Sequence, residues 1–199
     1  MKHLPESILF VGGGFIAIEF GHFFAAMGSE VTIVEYNDRI LGPAEPEISH
    51  VAHNELEEHL TIVLNHQVSE FQQLDDGNIR VVAKSRNDDK KKRIEAQEVF
   101  LATGRRSNAP LIHPERAGIE LTERDWIVVD EFMRTTQPNI WAFGDCTGKY
   151  LFKHMALYEM DAVYDNAILG KKTKIDYPAI PYAAFTYPEI GSGGLTEDQ

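Results

Sequence analysis

Three consecutive glycines, Gly12, Gly13 and Gly14, separate two segments of different periodicity. Before them, Ser7-Ile8-Leu9-Phe10-Val11 is short and apolar, the mark of a strand buried on both faces. After them, residues 15–27 place Ile16, Phe20, Phe23, Phe24 and Met27 at three- and four-residue steps, which predicts a helix with that stripe turned inward. Gly28 is suited to a left-handed cap, and Val31-Thr32-Ile33-Val34-Glu35 reads as a second strand. The order strand, glycine turn, helix, strand constrains the fold more than any other feature. The crossover implies that the two strands pair in parallel.

The glycine turn carries the spacing G-x-G-x-x-A at Gly12, Gly14 and Ala17. Gly12 permits the tight turn out of the strand. Gly14 lets a pyrophosphate approach the backbone, and Ala17 lets the helix pack close to the strands. The N–H groups at the helix start, over Phe15 and Ile16, add a partial positive charge suited to phosphate. Glu35 ends the next strand roughly twenty residues after the loop, where a carboxylate can accept hydrogen bonds from ribose hydroxyls. The segment Gly12-Gly13-Gly14-Phe15-Ile16-Ala17 with Glu35 is therefore read as a dinucleotide site. A carboxylate would repel a 2′-phosphate, so NAD is expected rather than NADP. Arg39 is the only nearby cation in sequence, and it lies past the strand end.

Further along, residues 46–59 predict a helix with Pro46 in its first turn, and residues 61–64 a third strand. Segments 68–74 and 79–85 alternate around Asp75-Asp76-Gly77-Asn78, which predicts an antiparallel insertion. Residues 98–102 return to a buried strand stopped by Thr103-Gly104. Strands are also expected at 126–129 and 140–143, with Trp126 and Trp141 in the core, and a helix over 153–169. Beyond Asp176 the chain is rich in proline and glycine. The fold class is α/β: a Rossmann-like FAD/NAD(P)-binding fold with an inserted antiparallel β segment, plus part of a second α/β region. The expected domains are 1–106 for NAD binding, 107–178 as a central, partly FAD-binding domain, and 179–199 as the start of an interface domain.

Composition narrows the partners. The net charge of −12 argues against a nucleic-acid partner, which needs clustered cations. The run Lys90-Lys91-Lys92-Arg93 is read as a solvated hairpin tip. No apolar run approaches the roughly 20 residues of a membrane span, and the N-terminus lacks a signal-peptide core. Cys146 is the single cysteine, so a reducing, cytoplasmic setting is expected. His50, His53 and His59 share one predicted helix with Glu57 and are read as a solvated face rather than a metal site. Cys146 has no neighbouring histidine in sequence and is not read as a nucleophile.

Two further segments, Leu101-Ala102-Thr103-Gly104-Arg105-Arg106-Ser107-Asn108 and Asn139-Ile140-Trp141-Ala142-Phe143-Gly144-Asp145-Cys146, follow the glycine loop in order. With Tyr150 through Ala156 and Phe185-Thr186-Tyr187-Pro188-Glu189-Ile190, the whole chain resembles the middle of flavin-dependent pyridine nucleotide–disulfide oxidoreductases. These include dihydrolipoamide dehydrogenase, mycothione reductase and mercuric reductase. The resemblance implies that Gly104 and Arg105 belong to the cofactor site and that Gly144 and Asp145 contact FAD, with Asp145 on the ribityl chain. Met155 and Ala156 would be backbone contacts at the start of a helix aimed at the flavin. Glu19 would lie near the nicotinamide and pair with a lysine of the flavin domain; the alternative is a surface helix glutamate.

Members of that group also carry a second glycine fingerprint, a Cys-x4-Cys redox pair and a C-terminal His-Glu pair. None of these occurs in this sequence. The chain is therefore read as a portion that binds NAD(H), does not retain FAD and turns nothing over by itself. Its parent would be a homodimer. Two alternatives are a stand-alone nucleotide-binding or regulatory module and a small complete dehydrogenase. The latter lacks a catalytic His or Tyr constellation.

Overall fold

Strand β1 (Ser7–Val11) lies inside a sheet because both of its faces are apolar: Ile8, Leu9 and Phe10 are all buried. The computed structural model describes residues 3–197. Around β1 it arranges β2 (Glu30–Val34), β3 (Thr61–Val63) and β7 (Glu98–Leu101) in a four-stranded sheet of order β3-β2-β1-β7. Every pairing is parallel, with Ser7 opposite Glu30 and Ile8 opposite Glu98. Helix α1 (Phe15–Ala26) makes the crossover from β1 to β2, and α2 (Pro46–Glu57) the one from β2 to β3. The insertion between β3 and β7 is an antiparallel sheet of β4 (His66–Gln73), β5 (Ile79–Ser85) and β6 (Lys91–Ala96), with β5 central.

Alternation along β1 and β2 divides the core into two layers. Ile8, Phe10, Val31 and Ile33 pack with Ile18, Phe24, Ala52 and Leu56 of the helices. Leu9, Val34 and Val63 pack on the other side with Val81, Ala83 and Ala96 of the antiparallel sheet. A hairpin of β8 (Pro181–Ala184) and β9 (Ile190–Gly193) joins the helical layer through the fully buried Ala184.

The inward face of α1 differs from the expected stripe. The helix buries Ala17, Ile18, Gly21 and Phe24, while Phe20, Phe23 and Met27 stand 45–56% exposed. A parallel sheet admits the crossover helix only at close range, which small residues allow. A Cβ on Gly21 would sit 3.2 Å from Ile33 Cδ1. The lysine run also differs: Lys90 lies in the β5–β6 turn, but Lys91, Lys92 and Arg93 are exposed along β6. Cations on an edge strand oppose pairing with another chain.

The chain falls into two compact units. One comprises the described residues up to Gly104 together with those from Pro181; the other is Arg105–Ile180. The second unit contains α3 (Lys153–Ala167), three 3-10 turns and a small core of Ala109, Ile127 and Ala142. The strands expected at 126–129 and 140–143 do not form. Single bridges, Leu121 to Ile127 and Arg134 to Trp141, stand in their place. Asp125, Met133 and Asn139 all take positive φ near 62°, and these turns end each extended run. Trp126 and Trp141, expected in the core, are only partly buried and belong to none of its clusters.

Candidate dinucleotide site

The carboxyl ends of β1, β2 and β7 open onto a cavity of about 530 Å³, where a parallel sheet places its ligands. Gly12, Gly13 and Gly14 form one wall and Glu35 another. Each glycine has its own reason. Gly12 has φ +107°, and a Cβ there would lie 2.5 Å from the Ala102 carbonyl oxygen. A Cβ on Gly13 would meet Ile40 at 2.9 Å and Glu35 Oε2 at 3.0 Å. Around Gly14 a Cβ would meet nothing within 4 Å, so this backbone faces open space. Gly14 is the N-cap of α1, no side chain caps the helix, and the first intrahelical bond runs from Ile18 N–H to the Gly14 carbonyl.

Glu35 is only 7% exposed although it lines this cavity. Its Oε2 accepts the Gly13 N–H, and its Oε1 accepts both the backbone N–H and the side-chain Nδ2 of Asn37, each at 2.7 Å. The acid thus clasps the glycine loop. Asn37 was not among the residues expected from sequence, but an amide two positions past a strand-end acid is a recognisable turn signal. Arg39 does not line the cavity; its Nη2 donates to the Gly42 carbonyl at 2.9 Å. Gly104 lines the cavity with Ala102 and Thr103, at φ +102°. On the opposite side stand His66, Gln67 and Val68, at the start of β4, which sequence reasoning also passed over. Position alone points to them, because β3 ends at Val63 on the same edge of the sheet.

Glu19 lies on α1, and its Oε1 accepts the N–H of Phe185 at 3.0 Å. This bond fastens the segment after β8 to the helix that carries the glycine loop. Tyr182 meets Phe15 edge-on at 5.2 Å. On α2, His53 pairs with Glu57 at 3.2 Å and His50 with Asn54 at 3.2 Å. No group of three or more metal-ligating side chains occurs among the described residues.

In the second unit a cavity of about 510 Å³ is lined by Arg105, Arg106, Asn108, Trp126, Asp145 and Cys146, among others. Arg105 Nη1 donates to the Leu151 carbonyl at 2.6 Å and lies 3.9 Å from Asp145 Oδ2. Gly144 has φ +71°, and a Cβ there would meet the Ala156 Cβ at 2.9 Å. Its N–H donates to Glu159 Oε2 at 2.5 Å, and Glu159 Oε1 accepts the Tyr177 hydroxyl at 2.7 Å. Glu159 is fully buried. Burial first, and the Glu159 carboxylate second, push the Tyr177 phenol well above its usual range. Glu159 was missed because it interrupts an otherwise regular buried face, Met155, Ala162 and Asn166. Met155 and Ala156, the expected backbone contacts, lie in the first turn of α3. Both amides donate to the Phe152 carbonyl, at 3.1 and 3.2 Å, within the first turn of α3. The Cys146 thiol donates to the Phe143 carbonyl at 3.1 Å, and burial pushes it above the usual thiol range.

The fold has relatives among known proteins. The family described as pyridine nucleotide-disulphide oxidoreductase matches residues 1–162. The chain is 37% identical to a mercuric reductase of Streptomyces lividans, across all of this chain and 41% of the relative. It is 34% identical to a dihydrolipoyl dehydrogenase of Chlamydia muridarum, across 98% of this chain and 41% of the relative. Among solved structures, the HOCl-induced flavoprotein disulfide reductase RclA of Escherichia coli superposes with a TM-score of 0.88. It is 32% identical and matches all of this chain and 45% of its own. The chain thus spans about two fifths of the length of the curated relatives it matches.

Proposed function

The chain belongs to the pyridine nucleotide-disulphide oxidoreductase family, and on that premise we propose that its first unit binds NAD(H). The observation that carries this reading is the open backbone at Gly14 beside a buried Glu35 in one cavity. Gly12, Gly13 and Gly14, with the start of α1 at Phe15, Ile16 and Ala17, would hold the pyrophosphate. Glu35 would accept from the adenosine ribose through lone pairs left over from Gly13 and Asn37. Bound nicotinamide supplies or takes a hydride. Glu19, held by Phe185, is the acid assigned to its neighbourhood.

In a whole enzyme we assign Gly144 and Asp145 to FAD, the hydride acceptor or donor opposite nicotinamide in a flavoprotein. The half-exposed Asp145 carboxylate sits on a 3-10 turn whose first amide is fixed by Glu159, a setting suited to accepting from ribityl hydroxyls. Gly104 and Arg105 would join the two nucleotide regions in sequence. We read 1–106 as the NAD-binding domain, 107–178 as the central domain and 179–199 as the start of an interface domain. The finer reading is a dihydrolipoamide dehydrogenase-like, cytoplasmic, homodimeric enzyme that passes reducing equivalents to a disulfide. No helix among the described residues is long and apolar enough to cross a membrane.

A second reading is a stand-alone nucleotide-binding module without redox turnover. Disulfide reduction needs two thiols, and Cys146 is engaged with a carbonyl. Calorimetric titration of the chain tests the shared claim. NADH is expected to bind more tightly than NADPH, because Glu35 opposes a 2′-phosphate. Equal affinities would remove the role given to Glu35.

A further inference from the structure

The sheet order assigns the two ends of a dinucleotide to opposite walls of the cavity. The glycine loop leaves β1, and Glu35 follows β2. With ribose hydroxyls at Glu35, the base extends from the sugar away from the pyrophosphate. It passes β2 toward β3, the outermost strand of the order β3-β2-β1-β7. There the chain turns into β4, and the cavity wall is His66, Gln67 and Val68. The wall after β7 is Ala102, Thr103 and Gly104, and it would face the other half of the dinucleotide.

Of the three residues on the base side, His66 has a fixed hydrogen-bonding sense. Its Nδ1 lies 2.6 Å from the Leu64 carbonyl oxygen. A carbonyl can only accept, so Nδ1 carries the proton and Nε2 of the neutral ring is an acceptor. The His66 N–H donates to the Glu35 carbonyl at 3.0 Å, which ties the imidazole to the residue that would bind the ribose. Gln67 is exposed, and its amide can turn to donate or accept. Val68 offers only an apolar surface.

We infer that His66 reads the base: its Nε2 accepts a hydrogen bond from the exocyclic amino group of adenine. The inference rests on the NAD(H) reading of this cavity and deepens it. A purine with oxygen in place of that amino group sets lone pair against lone pair. It leaves both acceptors desolvated and unpaired. The site therefore selects a 6-amino over a 6-oxo purine dinucleotide.

The test is calorimetric titration of the full chain with NADH and with reduced nicotinamide hypoxanthine dinucleotide. The wild-type chain is expected to bind the hypoxanthine form roughly tenfold more weakly or worse. His66→Phe keeps a flat ring without an acceptor and is expected to bring the ratio of the two affinities close to one. Equal binding of both dinucleotides by the wild-type chain would overturn the assignment of His66 while leaving the NAD(H) site standing. An unchanged ratio in His66→Phe would place the discrimination elsewhere and overturn it as well. Failure of both dinucleotides to bind the wild-type chain would overturn the NAD(H) reading and this inference together. If His66→Phe does not fold, His66→Ala, which also lacks the acceptor, is read in the same way: a ratio close to one supports the assignment and an unchanged ratio overturns it.

Discussion

Gly12 and Gly14 lack side chains for opposite reasons. At Gly12 the constraint is internal: positive φ and the Ala102 carbonyl leave no room for a Cβ. At Gly14 the space is open and the backbone extended, with φ −81° and ψ −174°, so the fold itself tolerates a methyl group. Gly12→Ala is expected to lower stability by about 2 kcal/mol or more. Gly14→Ala is expected to keep stability within about 0.5 kcal/mol while weakening NADH binding by roughly tenfold, as the methyl meets the pyrophosphate. Denaturant melts beside calorimetry separate the two. A Gly14→Ala chain with unaltered NADH affinity would mean that the pyrophosphate does not lie over this loop. Spacing in the sequence already marked these glycines and Glu35. It could not show that Glu35 is held by Gly13 and Asn37, because that clasp joins residues on two different strand ends.

Element by element, regular patterns were legible where one periodicity dominated. The βαβ unit, α2, the antiparallel insertion and α3 lie close to where strand alternation and helical spacing put them. α1 shows the limit. It is apolar nearly all round, so periodicity cannot choose its inner face, and the sheet selects small residues instead. α3 shows another limit: its buried face contains an acid, Glu159, whose partners Gly144 and Tyr177 come from outside the helix. That network gives Arg105–Ile180 a pH signature. In an unfolded chain a tyrosine ionises near pH 10. In the folded unit burial and the Glu159 carboxylate hold the Tyr177 proton to higher pH. Its contribution is therefore complete below about pH 10 and is lost as pH rises further, toward the folded value. Denaturation melts at rising pH are expected to show stability falling above about pH 10. Tyr177→Phe, although less stable at neutral pH, should show a shallower fall. An equally steep fall in the variant would place the effect on other groups.

Across the whole molecule, the two units differ in how much apolar surface they enclose. The first has two core layers, one on each side of a parallel sheet. The second has a small cluster around Ala109, Ile127 and Ala142 and relies on turns and side-chain hydrogen bonds. Hydrogen exchange is expected to be slowest for β1 and β2 and clearly faster throughout Arg105–Ile180, where fewer buried contacts resist opening. Equal protection in both units would contradict that ranking. By itself the sequence determined the parallel βαβ unit, its glycine loop and the acid after β2, since each depends on local periodicity, φ or spacing along one stretch of chain. The tertiary structure alone decided the inner face of α1, the clasp on Glu35, the buried Glu159 and the placing of His66 across the cavity. Those depend on which strand ends and helices are neighbours in space, and hydrogen bonds between distant residues leave no period in the sequence.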